Sequence, residues 1–174
     1  MNTIKLKQIF LTITLLIASF VAFGQSDKVL SGVDNTEQYN TIDVIYMDKD
    51  LSIFANLLTL SGMDTQLAFT DESLTLLAPK NEAFGDMSLE KFAELTNPKN
   101  RAKLMAFVNR HFLDGKVMSY SLKDNDIIDL DDGERIQIAK TGNSVSIGGA
   151  NVTKADVKTA NGIVHILDDT VALR

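Results

Sequence analysis

From Asp50 onward the apolar positions fall into a helical step. Leu51, Phe54, Ala55 and Leu58 follow the i, i+3, i+4, i+7 spacing of an amphipathic helix, and Gly62 supplies a stop. Just before it, Thr41 to Met47 is apolar enough for a strand, yet Ile42, Ile45 and Tyr46 share one helical face, so the pattern alone leaves both open. Leu76 and Leu77 continue an apolar run suited to a buried strand, and Pro79 biases Ala78 away from the α region, which holds the strand extended into a corner. A helix start is expected there, with Asn81 as its N-cap and Glu82 near the positive helix end. Ser88 is read as the cap of a short helix carrying Leu89, Phe92 and Leu95, and Asn97-Pro98 restarts the helix. Leu104, Phe107, Val108 and His111 then share one face of a helix expected to run until Asp114-Gly115.

The last third changes period. Ile136 and Ile138, then Val145 and Ile147, alternate with polar residues, and Asp132-Gly133, Gly142-Asn143 and Gly148-Gly149 supply turns. Asn161-Gly162 is a further turn dipeptide; both residues tolerate positive φ, and Gly162 is expected in a conformation that a Cβ would strain. In the strand that follows, five of the six residues Ile163 to Asp168 are apolar or His, so both faces are expected to be covered. Helices first and a β-meander after them indicate an α+β fold.

Two stretches carry a family resemblance. Thr75-Leu-Leu-Ala-Pro-Lys-Asn-Glu-Ala-Phe84 and Asn161-Gly-Ile-Val-His-Ile-Leu-Asp168 resemble the two homology boxes of the fasciclin domain. The box residues of structural interest are Ala78, Pro79, Asn81 and Phe84 in the first, and Asn161, Gly162, His165 and Asp168 in the second. Asp50 to Met63 is similar to the family's first long amphipathic helix, and His111-Phe-Leu-Asp-Gly-Lys-Val117 to its central His-containing segment. The resemblance covers roughly Asn40 to Arg174. It implies a compact wedge of two β-sheets with a helical layer, turns Thr41 to Met47 into helix, and points to a non-catalytic adhesion module. In animal members adhesion is associated with a Tyr-His pair and an Asp-Ile pair. Their counterparts here are Arg110-His111, followed by Phe112, and Asp156-Val157, which makes these five residues the binding candidates.

The chain ends add compartment. Lys5 and Lys7, the apolar run from Ile9 to Ala22, and Ala22-Phe23-Gly24 have the pattern of a secretory signal peptide over residues 1–24, with the mature chain beginning at Gln25. Residues 25–39 are polar and read as a flexible leader, and residues 40–174 as one domain. Secretion places the mature protein in the periplasm or outside the cell. Without Lys5 and Lys7 the chain keeps 15 basic against 23 acidic residues, a formal charge of −8, which disfavours nucleic acid as a partner. No later stretch is long enough to span a membrane. The chain has no cysteine, which removes thiol catalysis, Cys-based zinc sites and disulfides.

Candidate chemistry is sparse. His111 and His165 both sit in apolar patterns and are read as structural; Asp169 falls on the same strand face as His165, which makes a contact between them conceivable. Asp124, Asp126, Asp129, Asp131, Asp132 and Glu134 form an acidic cluster, but the EF-hand spacing fails, so a solvated hairpin edge is favoured and no metal or cofactor is expected. There is no G-x-S-x-G, P-loop or dinucleotide fingerprint. Asn151-Val152-Thr153 fits the glycosylation pattern and is read as a strand entrance. The expected function is a secreted, monomeric, non-catalytic module binding a protein or glycan. The alternative is a periplasmic carrier of a small apolar ligand, held between sheet and helices in a cleft lined by Met63, Met87, Met105 and Met118.

Overall fold

The computed structural model describes residues 28–68, 72–130 and 132–172. The expected signal peptide 1–24, residues 25–27 of the expected leader and Asp131 of the acidic cluster lie outside the described residues. The rest of that leader is not a free polar tail, since Val29 and Leu30 are buried in the core and Thr36–Gln38 forms a helical turn whose Thr36 hydroxyl donates to the Lys158 carbonyl. The α+β order is as the pattern indicates. Helices α1 (Thr41–Tyr46), α2 (Ser52–Ser61), α3 (Met63–Ala68), α4 (Leu89–Thr96) and α5 (Arg101–Asn109) are interleaved with strand β1 (Leu74–Pro79). Strands β2 (Phe112–Asp114), β3 (Ile127–Asp129), β4 (Arg135–Thr141), β5 (Ser144–Ile147), β6 (Ala150–Lys158) and β7 (Gly162–Leu167) follow. Thr41 to Tyr46 is helical, as the family resemblance implies.

The strands run in the order β2-β1-β7-β6-β5-β4-β3. β1 and β7, the strands of the two boxes, pair in parallel just inside the β2 edge, with Leu76 opposite Val164 and Leu77 opposite His165. Every residue of both strands is buried, as befits strands covered on both faces. The alternation splits them between two cores. Leu76, Ala78, Val164 and Ile166 face the helices and pack with Phe54 and Leu58. Leu77 and Leu167 face the other way and pack with Ile136, Ile138 and Ile147 of the meander, which shows that the sheet curls over its own outer face.

Local signals explain most boundaries. Gly62 ends α2 at φ 78°, the left-handed cap that glycine enters without a Cβ penalty. Ser88 caps α4 by accepting from the Lys91 N–H, and Asn97 accepts from the Lys99 N–H ahead of α5. One boundary differs from expectation. α5 stops at Asn109, and Phe112–Asp114 is an edge strand paired antiparallel with β1. The helical face of Leu104, Phe107 and Val108 continues through His111 in spacing only, because His111 follows the last helical turn and its carbonyl accepts from the Leu77 N–H, 2.8 Å away.

Candidate functional site

The two boxes meet the helices through their asparagines. Asn81 does not cap its own short helical turn, where Lys80 holds the cap position and makes no side-chain capping bond. Its Oδ1 accepts from the Ile53 N–H at 2.9 Å, while its Nδ2 donates to the Lys49 carbonyl at 2.9 Å and to Ser52 Oγ at 3.1 Å. It therefore caps α2 from a distance, satisfying an orphan donor of that helix. Asn161 does the same for α1. Its Oδ1 accepts from both the N–H and the hydroxyl of Thr41, each at 2.8 Å. Gly162 is not in a positive-φ conformation. Glycine is required there by crowding, since a Cβ would lie 2.1 Å from the Leu74 carbonyl oxygen and 2.7 Å from Thr41 Oγ1.

The remaining box residues are structural in the same sense. Ala78 is buried among the helices, and Pro79 ends β1 opposite Leu167. Phe84 packs edge-on to Phe92 with centroids 6.5 Å apart and tilts against Phe107 at 6.4 Å. Asp168 accepts from the Asn151 N–H at 2.7 Å and from its Nδ2 at 2.9 Å, pinning the start of β6 to the end of β7.

Both histidines are fully buried, with 0% exposure. His111 donates from Nδ1 to the Phe107 carbonyl at 2.8 Å and accepts at Nε2 from the Val171 N–H at 3.2 Å. Its ring lies 5.1 Å from that of Phe54 and 5.0 Å from that of Phe107. Burial, with the Arg110 charge acting in the same direction and the bond to Phe107 opposing, brings its pKa down to about 3. His165 uses the opposite tautomer: Nε2 donates to the Val117 carbonyl at 2.8 Å, and Nδ1 accepts from the Asp156 N–H at 3.1 Å. Burial lowers its pKa too, against the Val117 bond and the Asp156 charge. Its partners are Val117 and Asp156; the Asp169 carboxylate instead accepts from the Thr170 N–H.

Asp156 belongs to the same knot. It adopts φ 59° in a stretch of β6 where the register with β7 shifts. Its carboxylate accepts from the Ser119 N–H at 2.7 Å and from Ser119 Oγ at 2.6 Å. His165, Asp156, Val117 and Ser119 thus tie the segment after β2 to β6 and β7. Val157 and Phe112 are half-buried against the helix-side core. Any partner meeting the Asp156 carboxylate competes with Ser119.

Arg110 lies elsewhere. Its guanidinium carbon sits 5.6 Å from the Phe107 ring centroid, a cation–π distance. It lines a cleft of about 450 Å³ between α4, α5 and the chain after β7. Of the four methionines proposed for a carrier cleft, Met87 lines this one. Met63 is buried in the core, and the space between sheet and helices is filled by Phe54, Leu58, Leu76 and their neighbours. A cleft of that description is absent among the described residues.

The described aspartates of the cluster are tied locally, while Glu134 Oε2 is out of solvent with no hydrogen-bond partner among the described residues. Asp124 accepts from the Lys140 N–H, Asp126 from the Lys123 N–H, and Asp129 pairs with Arg135 at 2.9 Å. Among the described residues no three His, Asp or Glu gather as a metal site, and no helix is long and apolar enough to cross a membrane.

Comparison with known proteins agrees with this architecture. Protein sll1483 of Synechocystis sp. is 24% identical over 161 residues, spanning 86% of this chain and 89% of that protein. Human periostin is 28% identical over 146 residues, 83% of this chain, but the match spans 17% of periostin. A Plasmodium falciparum protein named heme ligase is 28% identical over 157 residues, 75% of this chain and 74% of its own. Among solved structures, the FAS1 domain pair of the insect cell adhesion molecule fasciclin I superposes with a TM-score of 0.58 at 18% identity, covering 77% of this chain and 51% of that one. The fold is therefore the FAS1 fold. A model of the Fasciclin domain matches residues 49–172, well over half of the 174, and the chain belongs to the fasciclin-domain family.

Proposed function

We propose that this protein is a secreted, non-catalytic interaction domain, acting by contact with a protein or glycan in the periplasm or outside the cell. The observation that carries the reading is the use made of its chemistry-bearing side chains. Both ring nitrogens of each histidine are bonded to backbone groups, the Asp156 carboxylate is taken by Ser119, and that of Asp168 by Asn151. A general base or nucleophile needs a free atom within reach of substrate; these groups hold strands and loops together. The exposed surface offers apolar contact instead, at Leu60, Leu89 and Tyr120, which are 54%, 85% and 76% exposed. The fasciclin family and its occurrence in a cell adhesion molecule support contact as the mode of action.

Heme ligation, suggested by the name of the Plasmodium relative, finds no support in these residues. An axial imidazole needs a nitrogen facing the iron, and His111 and His165 have none to give.

The partner's chemistry can be read by binding the mature protein, residues 25–174, to immobilised envelope material from its own host, untreated, protease-treated or periodate-treated. Saturable binding lost after one of the two treatments is expected and assigns the partner as protein or glycan. Turnover of carbohydrate or peptide in the same material, with no saturable binding, would overturn the reading.

A further inference from the structure

The cleft beside Arg110 has an organisation that adhesion does not account for. Its cations are Lys91, Lys103 and Arg110, and Glu94 is its one acid. The Glu94 carboxylate is taken by Lys103, whose hydrogen bond also holds its pKa below the ordinary value. The positive charges of Lys91 and Arg110 are left uncompensated within the lining, on a chain whose formal net charge is −6. Arg110 Nε is out of solvent and has no acceptor among the described residues. An unpaired buried donor is costly, and more so on a charged group. Beside these cations the wall is apolar, built from Met87, Leu95, Phe107 and Val171.

We propose that this cleft binds an amphiphilic carboxylate, with the Arg110 guanidinium holding the head group and the alkyl tail lying along Met87 and Leu95, the half-buried apolar side chains of the lining. A carboxylate can accept two parallel N–H bonds from one guanidinium. The planar guanidinium presents its donors as a preformed fork, so less freedom is lost per bond on binding than for a lysine. The apolar wall selects against a bare anion, and the cations select against a neutral tail. Both halves of the ligand are required.

The probe is decanoate below its micelle-forming concentration, titrated into the mature protein, with decan-1-ol as the uncharged tail and acetate as the head alone. Affinity is read by calorimetry and the site by backbone amide shifts. Decanoate is expected to bind one to one, with shifts at Met87, Leu95 and Phe107, at least about tenfold more tightly than decanol, a difference typical of one charge-assisted contact; acetate should show no measurable binding. R110Q should lose about tenfold in decanoate affinity and keep its affinity for decanol. Should R110Q fail to fold, K91Q at an exposed position decides, with a loss of about threefold expected. Equal binding of decanoate and decanol, binding of acetate as tight as decanoate, shifts confined to another face, or unchanged affinity in the variants would each overturn the proposal.

Discussion

At Gly162 the backbone enters β7 so close to the Leu74 carbonyl that no side chain fits, since a Cβ would stand 2.1 Å from that oxygen. The turn dipeptide Asn161-Gly162 is visible in the sequence, but the reason for its glycine is not. Leu74 and Thr41 lie 88 and 121 positions away, and nothing local announces their approach. Even Gly162→Ala is therefore expected to cost about 3 kcal/mol, the upper range for overpacking a filled site, as read by urea denaturation; a cost below about 1 kcal/mol would show that β1 and β7 can separate freely. The histidines set the acid response. Their folded pKa values are depressed, that of His111 to about 3, while an unfolded His titrates near 6.5. As pH falls below about 6.5 the unfolded chain binds protons that the folded one refuses, so stability is full above that value and lost on the way down to about 3. His111 alone contributes a slope of up to about 1.4 kcal/mol per pH unit in that window. Denaturation at pH 7.5, 6, 5 and 4 is expected to show the slope in the native sequence and a shallower one in His111→Gln; identical slopes would contradict the burial of His111.

The elements were legible where a period or a cap is local. The amphipathic run of Leu51, Phe54, Ala55 and Leu58 marks α2, and the alternation of Ile136, Ile138, Val145 and Ile147 marks β4 and β5. Ser88, Asn97 and Gly62 sit at the boundaries they signal. Failures occur where a long-range partner decides. Phe112–Asp114 continues a helical spacing but pairs with β1, because the buried edge of Thr75 and Leu76 offers it backbone bonds. Asn81 looks like a cap and is one, but for α2, 28 residues from the Ile53 it serves. Asn81→Ala should lower stability by about 1 to 2 kcal/mol and speed hydrogen exchange at the Ile53 amide. Unchanged exchange there would place the cap elsewhere. Of the candidate site, the histidines and Asp156 were found by spacing and family likeness, whereas Val117, Ser119 and Thr41 carry no signal that links them to those residues.

Over the whole molecule, the parallel pairing of β1 with β7 joins segments nearly ninety residues apart and fixes the two boxes side by side under the helices. That closure uses backbone pairing and apolar burial, and Asp124, Asp126, Asp129 and Asp132 of the meander are satisfied by nearby amides or by Arg135, while Glu134 Oε2 is out of solvent with no hydrogen-bond partner among the described residues. Stability is therefore expected to be independent of divalent ions. Melting temperatures in excess EDTA and in millimolar calcium at one ionic strength should coincide, since a site at a hundredfold excess over its Kd would add roughly 2.7 kcal/mol; a calcium-specific rise abolished by Asp129→Asn would contradict this. The central claim is that a fold which spends its reactive groups on its own cohesion acts by surface contact. Its most direct test is adhesion of beads coated with the mature protein to intact cells of its own host, beside beads coated with the acid-unfolded protein or with albumin. The account predicts saturable adhesion of the folded protein, competed by the same protein in solution and absent from both controls; adhesion no greater than that of albumin would contradict it.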